Sequence, residues 1–187
     1  DPVPSLSEAG IQPFKVPEGQ IGEVIVRGQH VNREYINNPE ANRENKLRET
    51  DGSVWHRTGD LAYWHSDQLW LVGRLKDQVE QGTDILHPYP VEALIESMSE
   101  IERVAFIGSS KIEGGVLLLE PSEPQQDAEI LIEKAQLSLK ETEYKAVSIY
   151  LVKSLPVDGR HNSKIDRVNL REWLDARLPA TPGWLHE

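Results

Sequence analysis

The sequence predicts an α+β protein, with a β-rich lobe first and then a small domain of two or three helices laid on a small sheet. Short segments of the first half alternate apolar and polar residues between glycines, whereas segments of the second half repeat apolar residues at helical spacing. The change from one pattern to the other falls near Lys76, so the expected division is residues 1–75 and residues 76–187.

Residues 1 to about 20 are rich in Pro, Ser and Gly without a sustained period and read as a connecting segment. Glu23 to Arg27 alternates around Val24 and Val26 between Gly22 and Gly28, which is a strand signature. Leu61 to Trp64 and Leu69 to Val72 read as a second and third strand joined through His65-Ser66-Asp67-Gln68. Beyond Lys76, Pro90 suits a first helical turn, and Val91, Leu94, Ile95 and Met98 share one helical face. Glu102 to Ile107 and Val116 to Leu119 read as strands joined by a polar loop. Asp127 to Lys140 places Ala128, Leu131, Ile132, Ala135 and Leu139 on one face, and Ala146 to Val152 is a further strand. A last helix after Ser163 carries Leu170, Trp173, Leu174 and Leu178 as its stripe.

A chain of 187 residues buries about 70% of the surface its unfolded form exposes, so it folds without staples. It has no cysteine, which excludes disulfides and thiolate metal sites. No apolar run approaches the roughly 20 residues of a membrane span, and Asp1-Pro2-Val3-Pro4 lacks the features of a signal peptide. Thirty-one acidic against 20 basic residues give a formal charge of −11, which repels polyanions. The expectation is a soluble cytoplasmic protein with no nucleic-acid partner and no membrane span. Histidines at 30, 56, 65, 87, 161 and 186 show no ligand spacing, so no metal site is expected within the chain. A first residue that is Asp, not Met, suggests a piece cut from something longer.

Three charged motifs follow one another: Thr58-Gly59-Asp60, Gly73-Arg74-Leu75-Lys76-Asp77 and Asn162-Ser163-Lys164-Ile165-Asp166-Arg167. Taken singly they read as a polar turn, an exposed basic strand end and a helix start, with Ser163 and Asp166 as a variant capping box. On that last reading Lys164 occupies the first helical position, where a cation opposes the helix dipole by up to roughly 1 kcal/mol. Helix formation alone gives no reason for a lysine there. Gly108-Ser109-Ser110-Lys111-Ile112-Glu113-Gly114-Gly115 has phosphate-loop ingredients without the spacing, and a strand follows it, so it reads as a hairpin loop.

In this order, preceded by Gly22-Glu23-Val24-Ile25-Val26-Arg27-Gly28 and Tyr35, the motifs resemble the C-terminal third of the adenylate-forming enzymes: acyl- and aryl-CoA ligases, luciferases and nonribosomal adenylation domains. The resemblance implies that Asp60 accepts hydrogen bonds from the ribose hydroxyls of ATP, that Arg74 also reaches the ribose, and that Lys76 is a hinge about which a small lid domain swings. It implies that Lys164 is catalytic, contacting the carboxylate and α-phosphate as negative charge builds. One such contact at 4 Å and an effective dielectric near 20 has a gross value of about 4 kcal/mol. That is roughly three orders of magnitude in rate before desolvation is subtracted.

The same resemblance implies ATP with Mg2+ bound to it by ligands outside this chain, a carboxylic acid substrate, and the large N-terminal adenylation domain of the same enzyme as partner. Coenzyme A is the further cofactor if the second half-reaction makes a thioester. Gln81 to Glu92 is longer and doubly prolyl where CoA ligases carry a Gly-Gly-Glu-Asn-like turn, which puts thiol transfer in question. Leu86-His87-Pro88-Tyr89-Pro90-Val91-Glu92 with Leu155-Pro156-Val157-Asp158-Gly159-Arg160-His161-Asn162-Ser163-Lys164 looks most like the olefin-biosynthesis β-lactone synthetases, relatives of the fatty acyl-CoA ligases. Arg160 and His161 then flank the catalytic loop or are solvated turn residues. Lacking a phosphate loop, adenine pocket and acyl tunnel, the chain is expected to be inactive alone. The alternative is a stand-alone binding or regulatory module that kept the fold and lost the reaction.

Overall fold

The computed structural model describes residues 5–112, 114–123, 126–157, 164–177 and 185. Tertiary contacts divide the chain into two units, Asp1–Lys76 and Asp77–Glu187. The α+β class is as expected.

One long strand organises the first unit. β1 (Gly22–Arg27) runs antiparallel along one edge of β3 (Val54–His65). β2 (Lys46–Arg48) and β4 (Gln68–Arg74) pair antiparallel with successive stretches of the other edge. The β3–β4 hairpin turns on Ser66 and Asp67, whose φ values of 49° and 59° are those of a tight two-residue turn, and His65 then faces Gln68. Before β2 lies α1 (Pro39–Asn45), which begins on a side-chain cap from Asn38 and has proline in its first turn. Neither α1 nor β2 was read from the sequence. Both are too short to show a period.

Thr58-Gly59-Asp60, expected as a turn, lies inside β3. Pairing with β1 shifts there, from Ile25↔Arg57 to Glu23↔Leu61, so the motif is a bulge. Gly59 adopts φ 73°, which a bulge of this kind reserves for glycine.

In the second unit, β5 (Val79–Gln81) and β6 (Asp84–Leu86) form a hairpin that leads into α2 (Pro88–Glu96). A three-stranded sheet follows, ordered β7 (Ile101–Ile107), β8 (Val116–Pro121) and β9 (Ser148–Leu151). β7 and β8 are antiparallel, while β8 and β9 are parallel and need the crossover that α3 (Ala128–Leu139) provides. Every residue of β8 is buried. Leu117 and Leu119 pack with α2 and α3, and Val116 and Leu118 pack with α4 (Arg167–Arg177), so period-2 alternation divides two cores. Leu170 and Leu174 are buried as the helical stripe required, whereas Leu178 lies outside the described residues.

The start of α4 differs from the expectation. Asp166 is its N-cap and accepts the Asn169 N–H at 3.2 Å, so the first helical residue is Arg167. Lys164 therefore precedes the helix, and the dipole conflict expected for it does not arise. Ser163, expected as the cap, lies outside the described residues, as do Asp1 to Pro4, Glu113, Arg160, His161, Asn162 and His186.

His87 ends the loop into α2. Its carbonyl accepts the Tyr144 hydroxyl at 2.7 Å, while its ring Nδ1 is buried with no hydrogen-bond partner among the described residues. Burial holds the imidazole below its ordinary value of 6.5, with Glu143 pulling the other way. A depressed folded pKa stabilises above the unfolded value of 6.5 and loses that contribution as the pH falls through the folded one. Urea unfolding followed from pH 7.5 to pH 5 is expected to show a falling stability that is shallower in His87→Gln. Equal slopes in the two proteins would refute it.

Candidate functional site

The geometry around Asp60 is set by the bulge. Register on the far edge places Asp60 directly across from Arg74, and Arg74 Nε lies 3.2 Å from Asp60 Oδ1. The pair is open to solvent, with the carboxylate 31% and the guanidinium 48% exposed. Among the described residues Oδ2 has no donor, so half the carboxylate is open to a ligand.

The backbone carrying Asp60 is held from both sides. Thr58 Oγ1 donates to the Val24 carbonyl at 2.8 Å and accepts the Asp60 N–H at 3.1 Å. Glu23 Oε1 accepts the Gly59 N–H at 3.2 Å, and its Oε2 takes Arg57 Nε at 2.8 Å and Nη2 at 2.7 Å. Glu23 thus fixes the bulge through Gly59 and Arg57, with no contact to the Asp60 carboxylate. Glu23 stands inside the Gly22–Gly28 strand segment, where local pattern assigns it no task. Only the 34-residue separation from Arg57 hid the connection.

Lys76 is exposed in the middle of a 3-10 turn, Leu75–Asp77, that ends β4. Lys164 belongs to the second unit. It is exposed, and its ammonium meets no acceptor among the described residues. The chain around it is anchored: Val157 and Ile165 form an antiparallel bridge, the Asp166 N–H donates to the Pro156 carbonyl at 2.9 Å, and Ile165 packs on the α4 side of the sheet. An exposed cation stands next to a fixed backbone.

Below that segment lies a charge network that sequence reasoning missed. Arg167 Nη2 donates to both oxygens of Glu92, at 2.7 Å and 2.8 Å, and Nη1 donates to the Phe106 carbonyl at 2.9 Å. Glu92 Oε1 also accepts the Phe106 N–H at 2.7 Å, and Asp77 Oδ2 stands 3.9 Å from Arg167 Nε. Glu92 and Asp77 are both buried. Burial pushes the Glu92 carboxyl above its ordinary value of 4.5, and Arg167 draws it back down.

The structure brings Asp60 and Arg74 together in one unit, with Lys76 at its end, and sets Lys164 in the other. Ser109 and Ser110 of the Gly108–Gly115 loop donate to Asp175 of α4, each at 2.8 Å, so their hydroxyls are spent inside the fold. Among the described residues no three His, Cys, Asp or Glu side chains could hold a metal ion. No helix there is long and apolar enough to cross a membrane.

No protein-family model matches the chain. It is 33% identical over 169 residues to an olefin β-lactone synthetase of Stenotrophomonas maltophilia (strain K279a), covering 86% of this chain and 31% of that protein. A second olefin β-lactone synthetase, from Xanthomonas campestris pv. campestris, is 31% identical over 178 residues, covering 83% of this chain and 30% of that protein. Among solved structures, the anthranilate CoA ligase AuaEII in complex with anthranoyl-AMP superposes with a TM-score of 0.72 at 27% identity, covering 84% of this chain and 31% of the ligase. The chain thus spans less than a third of the length of these relatives.

Glu23→Ala removes the three hydrogen bonds that hold the bulge in a half-exposed setting. It is expected to lower stability by about 1 to 2 kcal/mol, read as a shift of the urea midpoint. An unchanged midpoint would show that Thr58 alone suffices.

Proposed function

The chain is homologous to the C-terminal part of adenylate-forming enzymes, the acyl-CoA ligases and olefin β-lactone synthetases, and on that premise we propose that it supplies the ribose clamp, hinge and catalytic lysine of an ATP-dependent acyl-activating enzyme. The observation that carries this reading is the solvent-open Asp60–Arg74 pair with a carboxylate oxygen to spare. A carboxylate offers acceptors only and can take two neighbouring ribose hydroxyls, while Arg74 steadies it from across the strand. An exposed ion pair of this kind adds little to stability, so a ligand can share it without unfolding anything.

In the reaction a carboxylate oxygen of the acid attacks the α-phosphorus of ATP. The acyl–O–P bond forms, the bond from that phosphorus to the bridging oxygen breaks, and pyrophosphate leaves with the electron pair. Lys164 offsets the charge that accumulates on the attacking carboxylate and the phosphoryl oxygens. Its exposed ammonium on a four-carbon stem suits delivery and withdrawal by a pivoting lid. Lys76 is the pivot, at the end of β4 where an element terminus can absorb a change of φ and ψ.

The large N-terminal domain of the same protein is the partner that holds the adenine, the phosphates with their Mg2+, and the acyl group; without it these residues do not turn over. For the second step we favour ring closure over thioester formation. The β-hydroxyl oxygen of the adenylated acid attacks its own carbonyl carbon, AMP departs with the electron pair, and the hydroxyl proton passes to solvent. Two features favour it: the Gln81–Glu92 segment departs from the CoA-ligase pattern, and the curated relatives described above are named olefin β-lactone synthetases. A long-chain β-hydroxy fatty acid is then the substrate, and coenzyme A is needed only if the thioester route is taken instead.

Pyrophosphate exchange into ATP by the complete protein tests the assignment. Lys164→Ala is expected to slow exchange about a hundred- to a thousandfold, and exchange at the parent rate would dismiss the catalytic role. Lys76→Pro is expected to spare exchange while blocking release of AMP with product. Equal loss in both assays would count against the pivot.

A further inference from the structure

The half-buried guanidinium of Arg167 has no place in the chemistry above, yet it is heavily engaged with its neighbours in the second unit. Its cation sits in the first turn of α4, where the helix dipole opposes it. Nothing about the helix asks for it. The side chain is only 16% exposed and turns back to the sheet. There it gives two parallel hydrogen bonds to Glu92 of α2 and a third to the Phe106 carbonyl of β7. Glu92 in turn accepts the Phe106 N–H, so the pair satisfies both backbone groups of one residue on an edge strand. The fork acts as a local substitute for a missing neighbouring strand.

Two other attachments give the arrangement a purpose. Asp77, the residue immediately after Lys76, lies against Arg167 Nε at 3.9 Å. Arg167 itself stands three residues from Lys164, a reach of at most about 10 Å, along backbone pinned by the Val157–Ile165 bridge and by the Asp166 N–H to Pro156. We propose that Arg167 is the positioning residue for Lys164: its fork on Glu92 and Phe106 fixes the lysine segment to the same rigid body as the residue that follows the pivot. Rotation about Lys76 then moves Lys164 as part of one piece. This rests on the reading of Lys164 as catalytic and adds to it the residue that aims the lysine. A planar five-donor fork is suited to that task, and an ammonium in its place keeps the charge but loses the geometry.

The test is a double-mutant cycle on pyrophosphate exchange in the complete protein, accompanied by a thermal melt. Arg167→Lys alone is expected to lower kcat about 10- to 100-fold, the loss that a displacement near 1 Å produces, with KM for ATP unchanged within about twofold. In a Lys164→Ala background the same substitution is expected to have no further effect, because the group it aims is gone. If Arg167→Lys lowers the rate by the same factor with and without Lys164, or does not lower it at all, the positioning role is overturned while the catalytic reading of Lys164 stands. If Lys164→Ala itself leaves exchange unchanged, both fall together. Should Arg167→Lys fail to fold, Glu92→Gln, which preserves shape while weakening the fork, takes its place in the same cycle with the same expected pattern.

Discussion

Burial of β8 on both faces is the constraint from which the second unit follows. A strand whose six residues are all buried has to be covered above and below, and helices do this at the lowest cost in unpaired backbone. α2 and α3 cover the face that carries Leu117 and Leu119; α4 covers the face that carries Val116 and Leu118. Because β9 runs parallel to β8, α3 has to lie between them in sequence. Directly after β9, Val152 and Leu155 already pack on the α4 side, and Lys164 lies just before α4 on that side, next to Ile165, which packs there too. The place of the lysine is thus set by where α4 begins, and its side chain is exposed just outside the packed layer.

The two charge pairs show how differently the same chemistry serves inside and outside a fold. Asp60 and Arg74 meet in water, where a strand pair holds the backbones in register and the side chains remain exchangeable. Glu92 and Arg167 meet largely away from water, at 10% and 16% exposure, where the loss of solvation is recovered only if the lone pairs and N–H groups find partners. Phe106 supplies what the pair needs, one donor and one acceptor, and the guanidinium becomes a fixed strut. An apolar plug of the same size would pack as well. What it would lack is a defined distance from Asp77 to the start of α4, and a defined distance is the one thing a buried fork provides beyond stability.

Legibility in the sequence followed the range of the interactions. α3 and α4 carry apolar residues at helical spacing, and the strands of the second unit carry runs of Val, Ile and Leu, so these elements could be read from neighbours a few residues apart. α1, β2, β5 and β6 have three to seven residues each and no period to detect. Thr58-Gly59-Asp60 was read as a turn because glycine beside polar residues signals a reversal locally; the difference between a reversal and a bulge is decided by Glu23, 36 residues away from Gly59. The cap of α4 was misjudged for a similar reason. An aspartate three residues after a serine fits a capping box, yet an aspartate is itself a good cap, and no local rule chooses between them. The tether of Arg167 to Glu92, 75 residues apart, belongs to the three-dimensional context that could have chosen.

Glu23 and Glu92 occupy equivalent positions in the logic of their units. Each is a carboxylate that takes an arginine on one side and a backbone N–H on the other: Arg57 and Gly59 for Glu23, Arg167 and Phe106 for Glu92. In each case one of the groups so held lies within a few residues of a group proposed to touch substrate: Gly59 next to Asp60 in one unit, and Arg167 three residues from Lys164 in the other. A carboxylate suits this role because it can bind two donors in different directions with no rotatable hydrogen of its own, whereas an amide would have to present one donor and one acceptor in a set order. The residues that would meet the ligand are left exposed and lightly held, and the precision they require is supplied by less exposed carboxylates beside them, Glu23 at 19% and Glu92 at 10% exposure.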